Sequence, residues 1–230
     1  MKVFAISDPH LSFAHPKPMN IFGSKWENYW DKIVEDWQNK VTDDDVVLIA
    51  GDVSWAIDIK DAVEDINAIA ELNGTKVIIR GNHDYWWSSY SKVRGILGER
   101  FYAVQNNAMR IGSLIVCGSR GWQPYGNEDD KKIYNRELIR MKLSLDEMTK
   151  LRGEGDKVVV MTHYPPFNVD LSNNEMTDII NGYDVDAVVY GHLHGKDCRA
   201  EKLVTKGRTQ YYLTSCDLVD NKLIHILDVE

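Results

Sequence analysis

Gly81-Asn82-His83-Asp84 follows the apolar run Val77-Ile78-Ile79, so three polar side chains of metal-ligating type stand at the exit of a predicted strand. Open α/β sheets build their sites at the carboxyl ends of strands. Alone, the tetrapeptide reads equally well as a Gly-Asn turn followed by a helix-capping Asp. Four other stretches answer it: Asp8-Pro9-His10, Gly51-Asp52, His163 and His192-Leu193-His194 each follow an apolar, β-branched run. Five strand exits in one chain therefore carry residues able to hold a cation.

Upstream of the tetrapeptide, residues 2–7 and 46–50 read as buried strands, and 76–79 is the third. Asp8 and His10, two residues apart, share one face of an extended backbone, although Asp-Pro-His is also a common turn. Residues 12–23, with His15-Pro16, Lys17-Pro18 and Gly23, form a loop over the end of the first strand. Ser24 and Glu27 make a capping-box signature, and Trp26, Trp30, Ile33 and Trp37 continue at helical spacing to about Lys40. Asp58 starts a second helix with Ala62, Ile66, Ile69 and Leu72 on one face, stopped at Asn73-Gly74. Strand-helix alternation of this kind implies a parallel sheet with right-handed crossovers.

Downstream, a short helix to about Leu97 leads to strand-like pieces at 100–104, 108–111 and 113–118, read as hairpins. Ser119-Arg120-Gly121-Trp122 follows the last of them, which makes Arg120 either an anion contact or a solvated side chain. Tyr134, Leu138, Met141, Leu145 and Met148 mark a long amphipathic helix over about 128–151, acidic at its start and basic at its end. Residues 158–161 and 185–190 are further buried strands, and the tail alternates at 199–205, 209–214 and 222–228. The simplest reading is one domain over residues 1–230.

The 230 residues, 43% of them hydrophobic, suffice for a sizeable core. The excess of 35 acidic over 27 basic residues gives a formal charge of −8, which argues against an extended nucleic acid or an anionic membrane surface as partner. No apolar run reaches membrane-spanning length and the first one is too short for a signal peptide, so the expected location is the cytoplasm. Cys117, Cys198 and Cys216 form no Cys-x-x-Cys pair and read as buried reduced thiols.

Of seven histidines, five (His10, His83, His163, His192, His194) sit at the strand exits, beside Asp8, Asp52, Asn82 and Asp84. Imidazole, carboxylate and carboxamide without thiolate suit Mn²⁺, Fe or Zn²⁺, manganese or iron foremost, and not a structural zinc cage. The ligands exceed what one ion needs. Two divalent ions about 3.5–4 Å apart would use them all.

The ordered set Asp-x-His, Gly-Asp, Gly-Asn-His-Asp, His and Gly-His-x-His, spanning Asp8 to His194, resembles the calcineurin-like metallophosphoesterase superfamily. The resemblance implies a four-layer α/β/β/α sandwich with two facing mixed β-sheets. It implies that Asp8, His10 and His194 hold one metal, that Asn82, His163 and His192 hold the other, and that Asp52 bridges them. The implied enzyme is a phosphohydrolase acting on a small phosphodiester or nucleotide through in-line attack by a metal-bridging hydroxide. His83, beside a ligand but not one itself, is expected to protonate the leaving group, with Asp84 either orienting that ring or capping a helix.

Alternatives are a phosphomonoesterase or nuclease of the same superfamily, or a non-catalytic scaffold, which typically lacks ligands that are all present here. Val53-Ser54-Trp55 after Gly51-Asp52, and Asp84 where the Ser/Thr protein phosphatases carry Glu, set the chain apart from the phosphoprotein branch. Trp55, Trp86, Trp87 and Trp122, with Arg120, His15 and Lys17, either line the mouth of the site for a planar substrate group or pack loops together.

Overall fold

In the computed structural model, which describes residues 1–124, 126–195 and 197–230, the first half alternates β1 (Lys2–Ile6), α1 (Tyr29–Lys40), β2 (Val46–Ile49), α2 (Ile59–Ala70), β3 (Thr75–Ile79), α3 (Tyr90–Ile96) and β4 (Phe101–Val104). The second half runs β5 (Ala108–Ile111), β6 (Leu114–Gly118), α4 (Glu128–Leu151), β7 (Lys157–Met161), α5 (Glu175–Asn181), β8 (Ala187–Tyr190), β9 (Leu203–Lys206), β10 (Thr209–Leu213) and β11 (Ile224–Asp228). They form two mixed sheets, ordered β11-β1-β2-β3-β4 and β5-β6-β7-β8-β10-β9. β1 to β4 are mutually parallel, and so are β6, β7, β8 and β10.

The side-chain period of two sorts each strand between two cores. Val3, Ala5, Val46, Leu48, Val77 and Ile79 of the first sheet meet Leu114, Val116, Val159, Met161, Ala187 and Val189 of the second. The alternate residues Phe4, Ile6, Val47, Ile49 and Ile78 pack under Ile33, Trp37, Ala62, Ile66 and Ile69 of α1 and α2. On the far side Ile115, Val158, Val160 and Val188 lie under Met141, Leu145 and Met148 of α4 and Met176 and Ile180 of α5. The result is the four-layer α/β/β/α sandwich. Strands covered on both faces must be apolar throughout, which is why 46–49 and 158–161 read as unbroken hydrophobic runs.

Several local expectations need correction. Residues 101–104 are no hairpin arm, since β4 extends the first sheet parallel to β3; only β5 and β6 pair as a hairpin. Ser24 caps no α-helix: Ser24–Trp26 is a 3₁₀ turn, Asn28 adopts a left-handed conformation, and α1 starts at Tyr29. The break lets Trp26 drop into the core, 5.1 Å from Tyr29 and 6.1 Å from His10 between ring centroids. Asp58 occupies the N-cap of α2, but its side chain makes no capping bond. The tail strand predicted at 199–205 is confined to Leu203–Lys206, and α5, capped by Asn174 and Thr177, is too short to leave a periodic signal.

The two sheets are joined at their carboxyl ends. Ser7, just past β1, donates its N–H to the Thr214 carbonyl at 2.8 Å and accepts from Cys216 N at 3.0 Å, while Thr214 N bonds the Tyr190 carbonyl at 2.8 Å. The exits of β1, β2 and β3 therefore face those of β7 and β8.

Candidate metal centre

Tight exits bring the side chains together. Asp8, His10, Asp52 and His192 have φ of 56°, 46°, 51° and 70°, a left-handed conformation that costs about 1–3 kcal/mol per non-glycine residue and concentrates at functional sites. Neighbouring glycines make the close approach possible. A Cβ on Gly81 would overlap the Asp52 carboxylate, one on Gly191 would lie 2.5 Å from Asp8 Oδ2, and one on Gly51 would lie 2.6 Å from His163 Nδ1.

Asp52 lies centrally. Its Oδ1 accepts His83 N–H at 2.7 Å, while Oδ2 lies 3.8 Å from His10 Nε2 and 3.4 Å from His163 Nε2. His163 Nδ1 is 2.9 Å from the Ala50 carbonyl, which can only accept, so Nδ1 carries a proton and Nε2 points inward. Asn82 Oδ1 sits 2.7 Å from that Nε2 and 2.8 Å from His192 Nδ1. Asp8, His10 and His194 each bring one ligand atom within 4.8 Å of the others, as do Asp8, Asp52 and His163.

Both ring nitrogens of His10 and Oδ2 of Asp52 are buried without a hydrogen-bond partner among the described residues. Leaving such an atom unsatisfied costs about 1–3 kcal/mol. An imidazole nitrogen and a carboxylate oxygen buried near each other without hydrogen-bond partners fit a cation, and the imidazole, carboxylate and amide set suits divalent metals.

The electrostatics agree. Burial pushes His10 and His192 down to about 3, so both rings stay neutral as ligands must. Burial pushes Asp8 up to about 6, against the pull of His163. Burial opposes charge on His163 and on Asp52 alike, but their mutual attraction wins: His163 rises to about 9 and Asp52 falls below the usual carboxylate range. A proton on His163 thus stands where positive charge is wanted.

His83 is half-buried, its ring 4.6 Å from Trp55 and 5.6 Å from His10 between centroids, with Nδ1 3.4 Å from the Tyr85 hydroxyl. Asp84 neither orients that ring nor caps a helix. Its carboxylate accepts from Val53 N (2.9 Å), Ser54 N (3.1 Å), Gly81 N (2.7 Å) and Trp86 Nε1 (3.0 Å), fastening the β2 exit to the β3 exit.

Trp86 and Trp87 are buried at 1% and 3% exposure and offer no surface to a substrate. Trp55 is half-buried, stacked on His10 at 4.7 Å and 18°, with Lys17 Nζ 4.5 Å from its centroid. His15 is exposed and pairs with Asp61 at 3.3 Å. Arg120 lies over Trp122 at 4.7 Å, and its carbonyl accepts His163 N–H at 2.9 Å, so its backbone steadies a ligand. Cys117 and Cys216 are buried thiols as expected; Cys198 is only half-buried, in a loop.

The sequence reading missed Ser7 and Ser215, whose hydroxyls donate to Asp8 Oδ2 at 2.7 and 2.8 Å, and Cys216, whose thiol reaches the Asp8 carbonyl at 3.2 Å. The signal was present in Thr214-Ser215-Cys216-Asp217, a polar run at yet another strand exit.

A model of the calcineurin-like phosphoesterases matches residues 1–196. The uncharacterized protein MJ1445 of Methanocaldococcus jannaschii is 32% identical over 178 residues, 74% of this chain and 88% of that one. Among solved structures, TT1561 of Thermus thermophilus aligns over 97% of this chain and 96% of its own with a TM-score of 0.64 at 12% identity. AQ665 from Aquifex aeolicus, a protein of unknown function, aligns over 97% and 95% with a TM-score of 0.52 at 15% identity. At these identities the two structures speak to the fold alone.

Proposed function

Because the chain belongs to the calcineurin-like phosphoesterases, metal-dependent hydrolases of phosphoester bonds, we propose that it uses two divalent ions to hydrolyse a small phosphodiester or nucleotide. Asp8, His10 and His194 would hold one ion and Asn82, His163 and His192 the other, with Asp52 shared. The observation that carries this reading is Asp52 Oδ2, buried, without a hydrogen-bond partner among the described residues and 3.8 and 3.4 Å from His10 Nε2 and His163 Nε2.

Bound divalent ions supply Lewis acidity, which acidifies water and draws negative charge from phosphoryl oxygens. The chain's own residues do the rest. Ser7, Ser215 and the His192 N–H fix the Asp8 carboxylate, the last at 3.1 Å. The His83 N–H fixes Asp52. A water oxygen joins phosphorus as the water gives up a proton to solvent, the ester P–O bond breaks, and the departing alkoxide takes a proton from the His83 ring, which solvent then replaces, a step worth roughly 10²–10⁴-fold. The −8 charge supports a small substrate over a polymer.

Hydrolysis of bis(p-nitrophenyl) phosphate with and without Mn²⁺, in wild type and Asp52→Asn, tests the proposal. The expected result is Mn²⁺-dependent turnover that Asp52→Asn abolishes. Turnover in a chelator, or a fully active Asp52→Asn, would contradict it.

A further inference from the structure

The two histidines past β8 border apolar surface that the hydrolytic chemistry leaves unused. His192 joins Phe167, Leu171, Tyr190, Leu193 and Ala200 around a cavity of about 440 Å³. A second space is bordered by His194 with Ile21 and Phe22, which are 72% and 54% exposed. Cys198 touches both spaces.

The cavity has few groups with which to read a polar ligand. Gln123 donates Nε2 to the Pro165 carbonyl at 3.0 Å and keeps one buried oxygen, Oε1, without a partner among the described residues; Asn168 donates to Ser172 Oγ at 2.9 Å, and the Tyr190 hydroxyl faces the Glu201 carbonyl at 3.4 Å. Arg199 and Glu201, the charged residues of its lining among those described, are both exposed and of opposite sign. The tryptophans expected at the site mouth are otherwise engaged: Trp86 and Trp87 are buried, Trp55 is stacked on His10 beneath Lys17, and half-buried Trp122 has Arg120 and the Tyr164 ring each 4.7 Å from its own ring. An apolar space that shares His192 with the ligand cluster is suited to uncharged carbon attached to a phosphate.

We propose that this cavity receives an apolar ester group, alkyl or aryl, of the phosphoester substrate, so that the enzyme prefers a hydrophobic phosphodiester to a nucleotide. This rests on the phosphoesterase reading above and adds the substrate's class.

The test is a series of p-nitrophenyl alkyl phosphodiesters, from methyl to hexyl, beside thymidine 5′-p-nitrophenyl phosphate, all releasing the same leaving group. With Mn²⁺, kcat/KM should rise with chain length, about 4-fold for each fully buried methylene and at least ~10-fold across the series. The nucleotide should lag behind the hexyl ester. Ala200→Trp, which fills the space, should flatten the rise. A second readout needs no turnover: hexyl methylphosphonate should slow N-ethylmaleimide labelling of half-buried Cys198, while Cys117 and Cys216 are buried. Equal turnover of methyl and hexyl esters, or faster turnover of the nucleotide, would overturn the cavity assignment and leave the phosphoesterase reading standing. Protection of Cys198 without hydrolysis of any ester would do the reverse, and absence of both would overturn both.

Discussion

His163 carries two jobs in one ring: its Nδ1 is tied to the Ala50 carbonyl, and its Nε2 faces Asp52 and Asn82. Without a cation the ring holds a proton, with its pKa raised to about 9 by Asp52 and Asp8 despite burial. A ligand imidazole must be neutral, so metal binding has to expel that proton. The folded pKa lies above pH 7, so the metal-free ring is charged there, and Mn²⁺ uptake at pH 7 should release about one proton from it. Calorimetry in buffers of different ionisation enthalpy measures the number, and zero release would contradict the assignment. Asp8, raised to about 6, adds the acid side: protonation below that pH competes with the metal, so uptake should weaken as pH falls from 7 to 5. His83 makes a separate prediction. His83→Ala should slow alkyl-leaving-group esters by roughly 10²–10⁴-fold and nitrophenyl esters far less, with metal content unchanged. An equal loss on both would reassign His83 to a positioning role.

At the scale of elements, the strand exits were legible because a strand buried on both faces is an unbroken apolar run, and the first polar residue after it is conspicuous. His10, Asp52, Asn82, His163 and His192 stand out that way, and the structure brings their side chains together. What those exits touch was not legible, because the contacts link residues far apart in the chain. Ser215 meets Asp8 across 207 positions, and Asp84 serves Val53 and Ser54 about 30 residues upstream. Trp86 illustrates the same limit: its place after a motif suggested a site wall, whereas the turn after β3 folds it inward onto Asp84. Trp86→Ala should therefore destabilise the protein by about 3–5 kcal/mol, read by denaturant unfolding, without altering relative kcat/KM among phosphodiesters. A changed preference with intact stability would restore it to the site. Gly191→Ala tests the close approach of β8 to β1, since the added Cβ meets Ser7 and Asp8. It should lower both stability and Mn²⁺ affinity, while the same change at Gly207, where a Cβ meets nothing within 4 Å, should spare the metal.

Across the whole molecule, two sheets back to back let one strand set deliver Asp8, Asp52 and Asn82 and the other deliver His163 and His192. Periodicity identified the parallel first half but not the second sheet, because β4 crosses to the first sheet and β11 returns to pair with β1. No helix among the described residues is long and apolar enough to cross a membrane. The joint between the sheets is where the buried, unpartnered atoms of His10 and Asp52 lie, and the central claim is that two cations share Asp52 there. Anomalous X-ray scattering at the manganese edge from Mn²⁺-loaded crystals tests it most directly. The account predicts two peaks on either side of the Asp52 carboxylate, one against Asp8, His10 and His194 and one against Asn82, His163 and His192. A single peak, or two peaks neither of which touches Asp52, would contradict it.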